Sequence, residues 1–163
     1  MYKRQVLQRP GPTWDVIISE PSNPWMTGVS NLFTREYWAM GRARLAPGGV
    51  YCQWVQQYAM GPEELRGLVR TFQSVFPDVW LFETIEGSDL LMVGGTAELP
   101  EGLPIAPQLD PAGVARLGGT GWLNTDDRPR VEFRAPRYLH YDTARANARL
   151  IEAAQRGSDK QVK

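Results

Sequence analysis

The stretch of sequence that decides the fold is WDVIISEPSNPW, residues 14–25. Its first part, DVIIS (15–19), is a short, nearly continuous apolar run, which is typical of a strand buried on both faces. A polar turn that contains two prolines follows, and it carries the carboxylate of Glu20. The stretch therefore predicts a buried strand that ends in a stiff, polar loop. It leaves two interpretations of Glu20 open, an ordinary strand exit or a carboxylate positioned for chemistry.

Helices and strands alternate after this first strand. Proline and glycine in APGG (46–49) indicate a helix end, and six apolar residues at helical spacing follow Pro62. We predict a helix from Ser30 or Thr34 to Leu45, a strand at 50–55, a helix at 62–76, and strands at 78–85 and 89–95. The order predicts right-handed crossovers and parallel pairing, and the short turn at Gly87 predicts a final antiparallel hairpin.

The rest of the chain is rich in turns. Residues 96–109 predict a connecting loop, 110–117 a short helix, 130–134 an edge strand, and 142–156 a helix before a polar tail. We expect one domain at 1–140, with its core at 14–95 and a loop-rich part at 96–140, and a C-terminal helix and tail at 141–163.

Composition excludes several classes of protein. The 163 residues carry 18 basic and 18 acidic side chains, one cysteine and one histidine. This balance argues against a protein that mainly binds nucleic acid or an anionic membrane, and it makes disulfides and a Cys/His zinc site improbable. No secretory signal is evident, and no apolar run approaches the roughly 18 residues needed to cross a bilayer. We expect a cytoplasmic protein without a metal.

Polar side chains end two strands that are expected to be neighbours. Glu20 and Asn23 follow the first strand, and Gln53 and Gln56 lie at the end of the second. Ligands of open parallel sheets bind at the carboxyl ends of the strands, so these side chains predict one cleft. Three aromatic residues could wall it: Trp25, Trp54 and Tyr58. For Gln53, a buried glutamine satisfied by the backbone is the alternative.

The segment NTDDRP (124–129) contains two adjacent carboxylates, Asp126 and Asp127. Adjacent side chains of an extended chain point apart, and Asn, Asp and Pro commonly form turns. We therefore predict a turn here rather than a metal site. Cys52 is expected to be an inert core residue, and His140 a surface histidine.

The ordered combination of WDVIISEPSNPW, NLFTREYW, ARLAPGGVYCQW and LNTDDRPRVEFRAPR resembles the spermidine synthase (polyamine aminopropyltransferase) family. It is most similar to the spermidine-synthase-like domains that bacteria fuse to transporter-like membrane segments. The resemblance covers roughly residues 14–140. It implies the fold of class I methyltransferases, a Rossmann-like doubly wound α/β sheet that is mostly parallel with an antiparallel hairpin at one edge.

The resemblance also implies roles for particular residues. Family members end the first strand with Asp-Ser-Ser-Asp-Pro, in which the first aspartate helps to deprotonate the attacking amine and the second holds the diamine. Glu20 matches the first aspartate, Ser22 the second serine, and Asn23 the second aspartate. Substrate contacts are further implied for Gln53 and Trp25. Contacts to the nucleoside are implied for Pro21 and for the NLF tripeptide, through Asn31 and Leu32.

The implied reaction is aminopropyl transfer to a small amine. The amine displaces methylthioadenosine from decarboxylated S-adenosylmethionine, with Glu20 as base or cation anchor. Asn23 has no charge where the family has an aspartate, which implies weaker binding of a diamine. An S-adenosylmethionine-dependent methyltransferase and a non-catalytic interaction domain are the alternatives.

The glycine-rich strand and turn that hold the nucleoside in this fold have no counterpart before residue 15. The resemblance therefore implies the C-terminal half of the domain, with a strand edge and an apolar face left uncovered. A homodimer, or pairing with a missing N-terminal half, is the expected consequence. Full-length relatives would be tethered to a membrane through the fused segment.

Overall fold

A computed structural model describes residues 2–97, 99 and 105–159. Its elements in chain order are α1 (Tyr2–Gln8), β1 (Trp14–Ser19), α2 (Arg35–Arg42), β2 (Leu45–Gln56), α3 (Pro62–Gln73), β3 (Val79–Ile85), β4 (Asp89–Gly95), α4 (Pro111–Gly118), α5 (Arg130–Arg134) and α6 (Ala144–Asp159). Two 3₁₀ turns, Ser30–Leu32 and Ala135–Tyr138, precede α2 and follow α5. The predicted α/β class is confirmed. No helix of the described ranges is long and apolar enough to span a membrane.

The four strands form one sheet in the order β1-β2-β4-β3. β1 and β2 are parallel, whereas β4 is antiparallel to both β2 and β3. β3 and β4 make the predicted hairpin, and Gly87 in its turn has a φ of 66°. β4 pairs with β2 on the side away from β1, so β1 and β2 remain direct neighbours. The ends of these two strands are where the sequence predicts the cleft.

The helices supply the core on one face of the sheet. The predicted apolar stripe of α3 is buried, including Leu65, Leu68 and Phe72. The Trp38 ring from α2 meets the Phe72 ring edge-on at 5.1 Å. Gly41 is required where α2 crosses β2, since a Cβ atom there would lie 2.3 Å from the Tyr51 ring. Close packing of α2 and α3 thus fixes the sheet beneath them.

Three local predictions were wrong. The helix predicted to run to Leu45 ends at Arg42, and APGG lies inside β2 instead of ending the helix. APGG forms an irregularity, because Trp14 pairs with Leu45 but Val16 pairs with Val50. Gly48 makes this possible with a φ of 76°. Residues 2–8, for which no element was predicted, form α1.

The predicted edge strand at 130–134 is instead the helix α5. A strand would place Val131 and Phe133 on the same face, whereas Val131 is buried and Phe133 is 70% exposed. The Val131 N–H is donated to the Asn124 side chain rather than to a neighbouring strand. Part of the loop predicted at 96–109 and the end of the tail lie outside the described residues.

Candidate active site

The carboxyl ends of β1 and β2 meet, as predicted. Ser19, the last residue of β1, pairs with Gln53 of β2 in the parallel register. Glu20 follows at once and is exposed, and its carboxylate makes no hydrogen bond or ion pair with any described residue. A free carboxylate at the end of an open sheet can accept a proton from an amine or hold a cation.

Asn23 lies against the end of β2. The Gln56 Nε2 atom donates to Asn23 Oδ1 at 3.3 Å, which joins the loop after β1 to β2. Gln56 is fully buried, and its Oε1 atom is a buried acceptor with no donor among the described residues. The Ser19 hydroxyl is buried on the core side, where it interacts with the Tyr51 hydroxyl. One buried acceptor without a donor among the described residues, Gln56 Oε1, therefore accompanies Glu20 and Asn23 at this edge.

Gln53 is fully buried in the core beneath this edge. The Trp38 indole donates to its Oε1 atom at 2.8 Å, and its Nε2 atom donates to the backbone oxygen of Trp54 at 2.9 Å. Both ends of the amide are thus satisfied within the fold, which matches the alternative interpretation of a structural glutamine. Its role in substrate binding stays a prediction.

The other residues predicted to line the site differ in their exposure to solvent. Ser22 is exposed, Pro21 is buried, and Trp25 is half-buried against the core. Of the other two aromatic candidates, Tyr58 is 40% exposed, whereas Trp54 lies on the sheet face away from the helices. Trp25 and Tyr58 are the aromatic side chains whose partial exposure suits a ligand wall.

The two residues predicted for the nucleoside lie in the 3₁₀ turn before α2. The Asn31 backbone oxygen accepts hydrogen bonds from Arg4 Nη1 and Thr34 Oγ1, and Leu32 is buried. These contacts hold the turn against α1 and the start of α2. Their contact with a nucleoside stays a prediction.

The NTDDRP segment is a turn, as predicted, and among the described residues no cluster of His, Cys, Asp or Glu could hold a metal ion. Asp126 accepts from both terminal nitrogens of Arg4 and, at 2.7 Å, from Thr34 Oγ1. These hydrogen bonds lower the pKa of the Asp126 carboxyl, Arg4 more than Thr34. The turn therefore ties α1 to the start of α2.

A carboxyl whose pKa is lowered by folding stabilises the protein above its unfolded pKa of about 3.9, and this contribution is lost as the pH falls through the folded pKa. We expect the stability of the wild type to fall with acidification below about pH 5 more steeply than that of Asp126→Asn. Urea unfolding at a series of pH values measures this. The exposed Asp142→Asn serves as the control, and an unchanged slope in Asp126→Asn would contradict the assignment.

The chain is similar in sequence to two named proteins. The chain is 40% identical over 77 residues to a polyamine aminopropyltransferase from Synechococcus sp., a match over 45% of this chain and 24% of that protein. It is 30% identical over 101 residues to the spermidine synthase of Dictyostelium discoideum, over 57% of this chain and 35% of that protein. No protein-family model matches the chain.

The fold of the chain is similar to that of about half of one solved structure. The crystal structure of a probable spermidine synthase from Corynebacterium glutamicum superposes with a TM-score of 0.57 at 20% identity, over 76% of this chain and 51% of that chain. The chain is thus similar in sequence to polyamine aminopropyltransferases and shares their fold. It spans about a quarter to a third of the length of the curated relatives it matches.

Proposed function

We propose that the chain carries the amine-activating side of an aminopropyltransferase site, with Glu20 as the base. The observation that supports this most is the free carboxylate of Glu20 at the end of β1, next to the Asn23–Gln56 contact. The matched relatives are named for polyamine synthesis, so decarboxylated S-adenosylmethionine is the proposed donor and a small amine the acceptor. This naming does not favour S-adenosylmethionine-dependent methyl transfer.

The chemistry follows from these groups. The acceptor nitrogen attacks the aminopropyl carbon attached to the sulfonium, so a C–N bond forms and the C–S bond breaks. Methylthioadenosine leaves with the electron pair of that bond, and Glu20 takes the proton that the new ammonium loses. No electrons are exchanged with a cofactor. Orientation of the amine against the donor supplies most of the rate enhancement.

The acceptor end of the site is less acidic than in the authentic synthases. Asn23 is neutral and already accepts a hydrogen bond from Gln56, while the buried Gln56 Oε1 atom still lacks a donor. An ammonium or hydroxyl hydrogen of the acceptor can supply that donor. Ser22, Trp25 and Gln53 complete the proposed acceptor side.

The donor side is proposed to involve Pro21, Asn31 and Leu32 together with residues that precede β1 in the fold. β1 lies at the edge of the described sheet, so a further strand can pair beside it. We propose that such a strand, from an N-terminal half of the domain or from another polypeptide, completes the nucleoside site. The proposed setting is the cytoplasm.

The replacement Glu20→Gln tests the proposed base. With putrescine and decarboxylated S-adenosylmethionine, methylthioadenosine release is expected to fall by about 100-fold or more, because the variant cannot accept the proton. Calorimetry should show unchanged binding of methylthioadenosine. Asp15→Asn makes the same change of charge at the exposed start of the same strand and should leave the rate unchanged.

Equal rates for Glu20→Gln and the wild type would refute the role of Glu20. If the wild type neither turns over nor gives heat with millimolar donor or methylthioadenosine, the proposal fails for this chain alone. The assay is then repeated with an N-terminal half restored from a relative, and continued absence of Glu20-dependent transfer overturns the proposal.

A further inference from the structure

The turn of the β3–β4 hairpin lies at the same edge of the sheet as the candidate site. β4 begins at Asp89, and Asp89 pairs with Gln56, the last residue of β2. Residues that pair directly across an antiparallel ladder share one face of the sheet, with their Cβ atoms about 5 Å apart. This face is opposite to that of Val55, which is fully buried in the core. The register therefore places the Asp89 side chain beside the Gln56 amide.

The Gln56 amide connects this hairpin to the loop after β1. Its Nε2 atom donates to Asn23 Oδ1 at 3.3 Å, and its Oε1 atom is a buried acceptor with no donor among the described residues. Asn23 and Asp89, in contrast to Gln56, are both partly exposed. One buried amide is thus flanked by a neutral acceptor that belongs to the loop and by an acidic side chain that belongs to the hairpin.

The hairpin carries three carboxylates, and they differ in their partners. Glu83 Oε1 accepts from Gln57 Nε2 at 2.9 Å and from a backbone N–H of the turn. Glu86 is exposed in the turn. Asp89 accepts from the neighbouring Ser88 hydroxyl at 3.2 Å, and no cation in the described part of the chain pairs with it. A carboxylate without a cation, next to a buried acceptor without a donor, favours a cationic hydrogen-bond donor as the ligand.

We propose that Asp89, Gln56 and Asn23 form a subsite for the second ammonium group of a diamine acceptor. This inference rests on the proposed function, in which Glu20 takes the proton of the reacting nitrogen, and it assigns the other end of the acceptor. A primary ammonium has three N–H donors, and the subsite offers an acceptor on each of its three residues. Asn23 and Asp89 are the partly exposed acceptors, and the buried Gln56 Oε1 atom becomes accessible when Asn23 releases the amide.

The subsite compensates for the neutral residue at position 23. The sequence resemblance implies an aspartate there to hold the diamine, and Asn23 lacks that charge. In this chain the negative charge lies across the Gln56 amide, at the start of β4. Two strand spacings, about 10 Å, separate Asp89 from the line of β1, at whose end Glu20 lies. A diamine can place one nitrogen at each carboxylate, whereas a monoamine can occupy only one of them.

Titration of the isotope-labelled chain with putrescine, followed by NMR, tests the subsite without any transfer reaction. Sodium chloride holds the ionic strength constant, because added salt alone weakens electrostatic contacts. The side-chain amide signals of Asn23 and Gln56 are expected to shift until they saturate. Asp89→Asn should weaken this binding by about 10-fold, because the ammonium loses its charged partner. Glu86→Gln makes the same change of charge in the exposed turn and should leave the affinity within about 2-fold of the wild type.

Relocation of the charge gives the second test. Asn23→Asp places a carboxylate on the other side of the Gln56 amide. The double variant Asn23→Asp with Asp89→Asn should therefore recover the wild-type affinity for putrescine to within about 3-fold. If Asp89 merely stabilised the hairpin, a charge on a different element would not restore binding. Circular dichroism of the single and double variants checks that each one is folded.

The absence of a saturable shift in the wild type would overturn the subsite, and so would equal affinities for the wild type and Asp89→Asn. An equal loss in Glu86→Gln would also overturn it, since binding would then depend only on the overall charge of the hairpin. A double variant that stays as weak as Asp89→Asn would show that positions 23 and 89 do not face one ammonium.

The titration also separates this inference from the proposed function. If binding depends on Asp89 but transfer does not depend on Glu20, the proposed function fails and the subsite stands. If transfer depends on Glu20 while Asp89→Asn leaves the KM for putrescine unchanged, the subsite fails and the proposed function stands.

Discussion

Replacing Asn124 by alanine is expected to lower the free energy of unfolding by about 3 kcal/mol or more. The Asn124 side chain is fully buried, donates to the Phe33 backbone oxygen at 2.9 Å and accepts from the Val131 N–H at 3.2 Å. Alanine leaves both backbone groups buried without a partner. Each costs about 1–3 kcal/mol, and the two act on different elements, the start of α2 and α5.

Urea denaturation of Asn124→Ala beside Asp127→Ala measures this difference. Asp127 lies three residues further along the same turn but is exposed, and its carboxylate accepts from the Thr125 hydroxyl at 2.6 Å and from its own backbone N–H. We expect its loss to cost less than about 1 kcal/mol. If the two variants were equally stable, Asn124 would not be the residue that holds the turn to α2 and α5.

Replacing Arg134 by alanine is the second change with a large expected effect. Arg134 Nε donates to Glu64 Oε1 at 2.7 Å, and the Glu64 side chain is completely inaccessible to solvent. Removal of the guanidinium leaves the buried carboxylate uncompensated, so we expect a loss of about 3 kcal/mol. The same contact raises the pKa of Arg134, so the guanidinium remains charged across the accessible pH range.

The double replacement Arg134→Ala with Glu64→Gln separates charge from packing. A neutral amide costs much less to bury than a carboxylate without a partner, so the double variant should recover at least half of the lost stability. The measurement is the same urea titration, with the four proteins of the cycle compared at one pH. A double variant less stable than Arg134→Ala would show that packing, not charge, dominates at this site.

The parts of the fold that could be predicted from sequence are those in which local pattern and tertiary packing agree. The apolar run of DVIIS became β1, and the stripe that begins at Leu65 became α3 with its predicted first residue, Pro62. Gly87 takes the positive φ that its short hairpin turn requires. For α3 the residue type needed by the backbone and the face buried by the core coincide. The burial of β1 on both faces was predicted wrongly, since Val16 is 57% exposed and Ile18 is 72% exposed.

Where contacts between distant residues determine the secondary structure, the local sequence pattern gave the wrong prediction. APGG contains the residues of a helix end, yet the parallel pairing of β1 and β2 draws it into β2 as an irregularity. The edge strand predicted at 130–134 is a helix, and the Val131 N–H donates to Asn124, seven residues earlier in the chain. The position of β4 between β2 and β3 likewise depends on long-range pairing, which no local pattern records.

The candidate site was partly predictable for the same reason. The strand ends identify Glu20 and Asn23 through a general rule of open sheets, and the structure brings Asn23 into contact with β2. The strand-end rule did not establish that Gln53 faces the cleft. Alternation along β2 shows that Gln53 and Gln56 lie on opposite faces of the sheet, but it does not show which face the helices cover. The Gln53 amide is satisfied by Trp38 and the backbone. The buried acceptor of Gln56 became apparent only from the geometry.

β2 is hydrogen-bonded along both edges, to β1 on one side and to β4 on the other, whereas β1 pairs with β2 alone among the strands that the structure describes. Strands paired on both sides open mainly with global unfolding, while an edge strand can detach locally at lower cost. The two halves of the candidate site therefore differ in mobility. While β1 remains an edge strand, the loop with Glu20 can adjust its position and Gln56 provides a fixed wall. A further strand paired beside β1 would make Glu20 as fixed as Gln56, so completing the sheet would also order the proposed base.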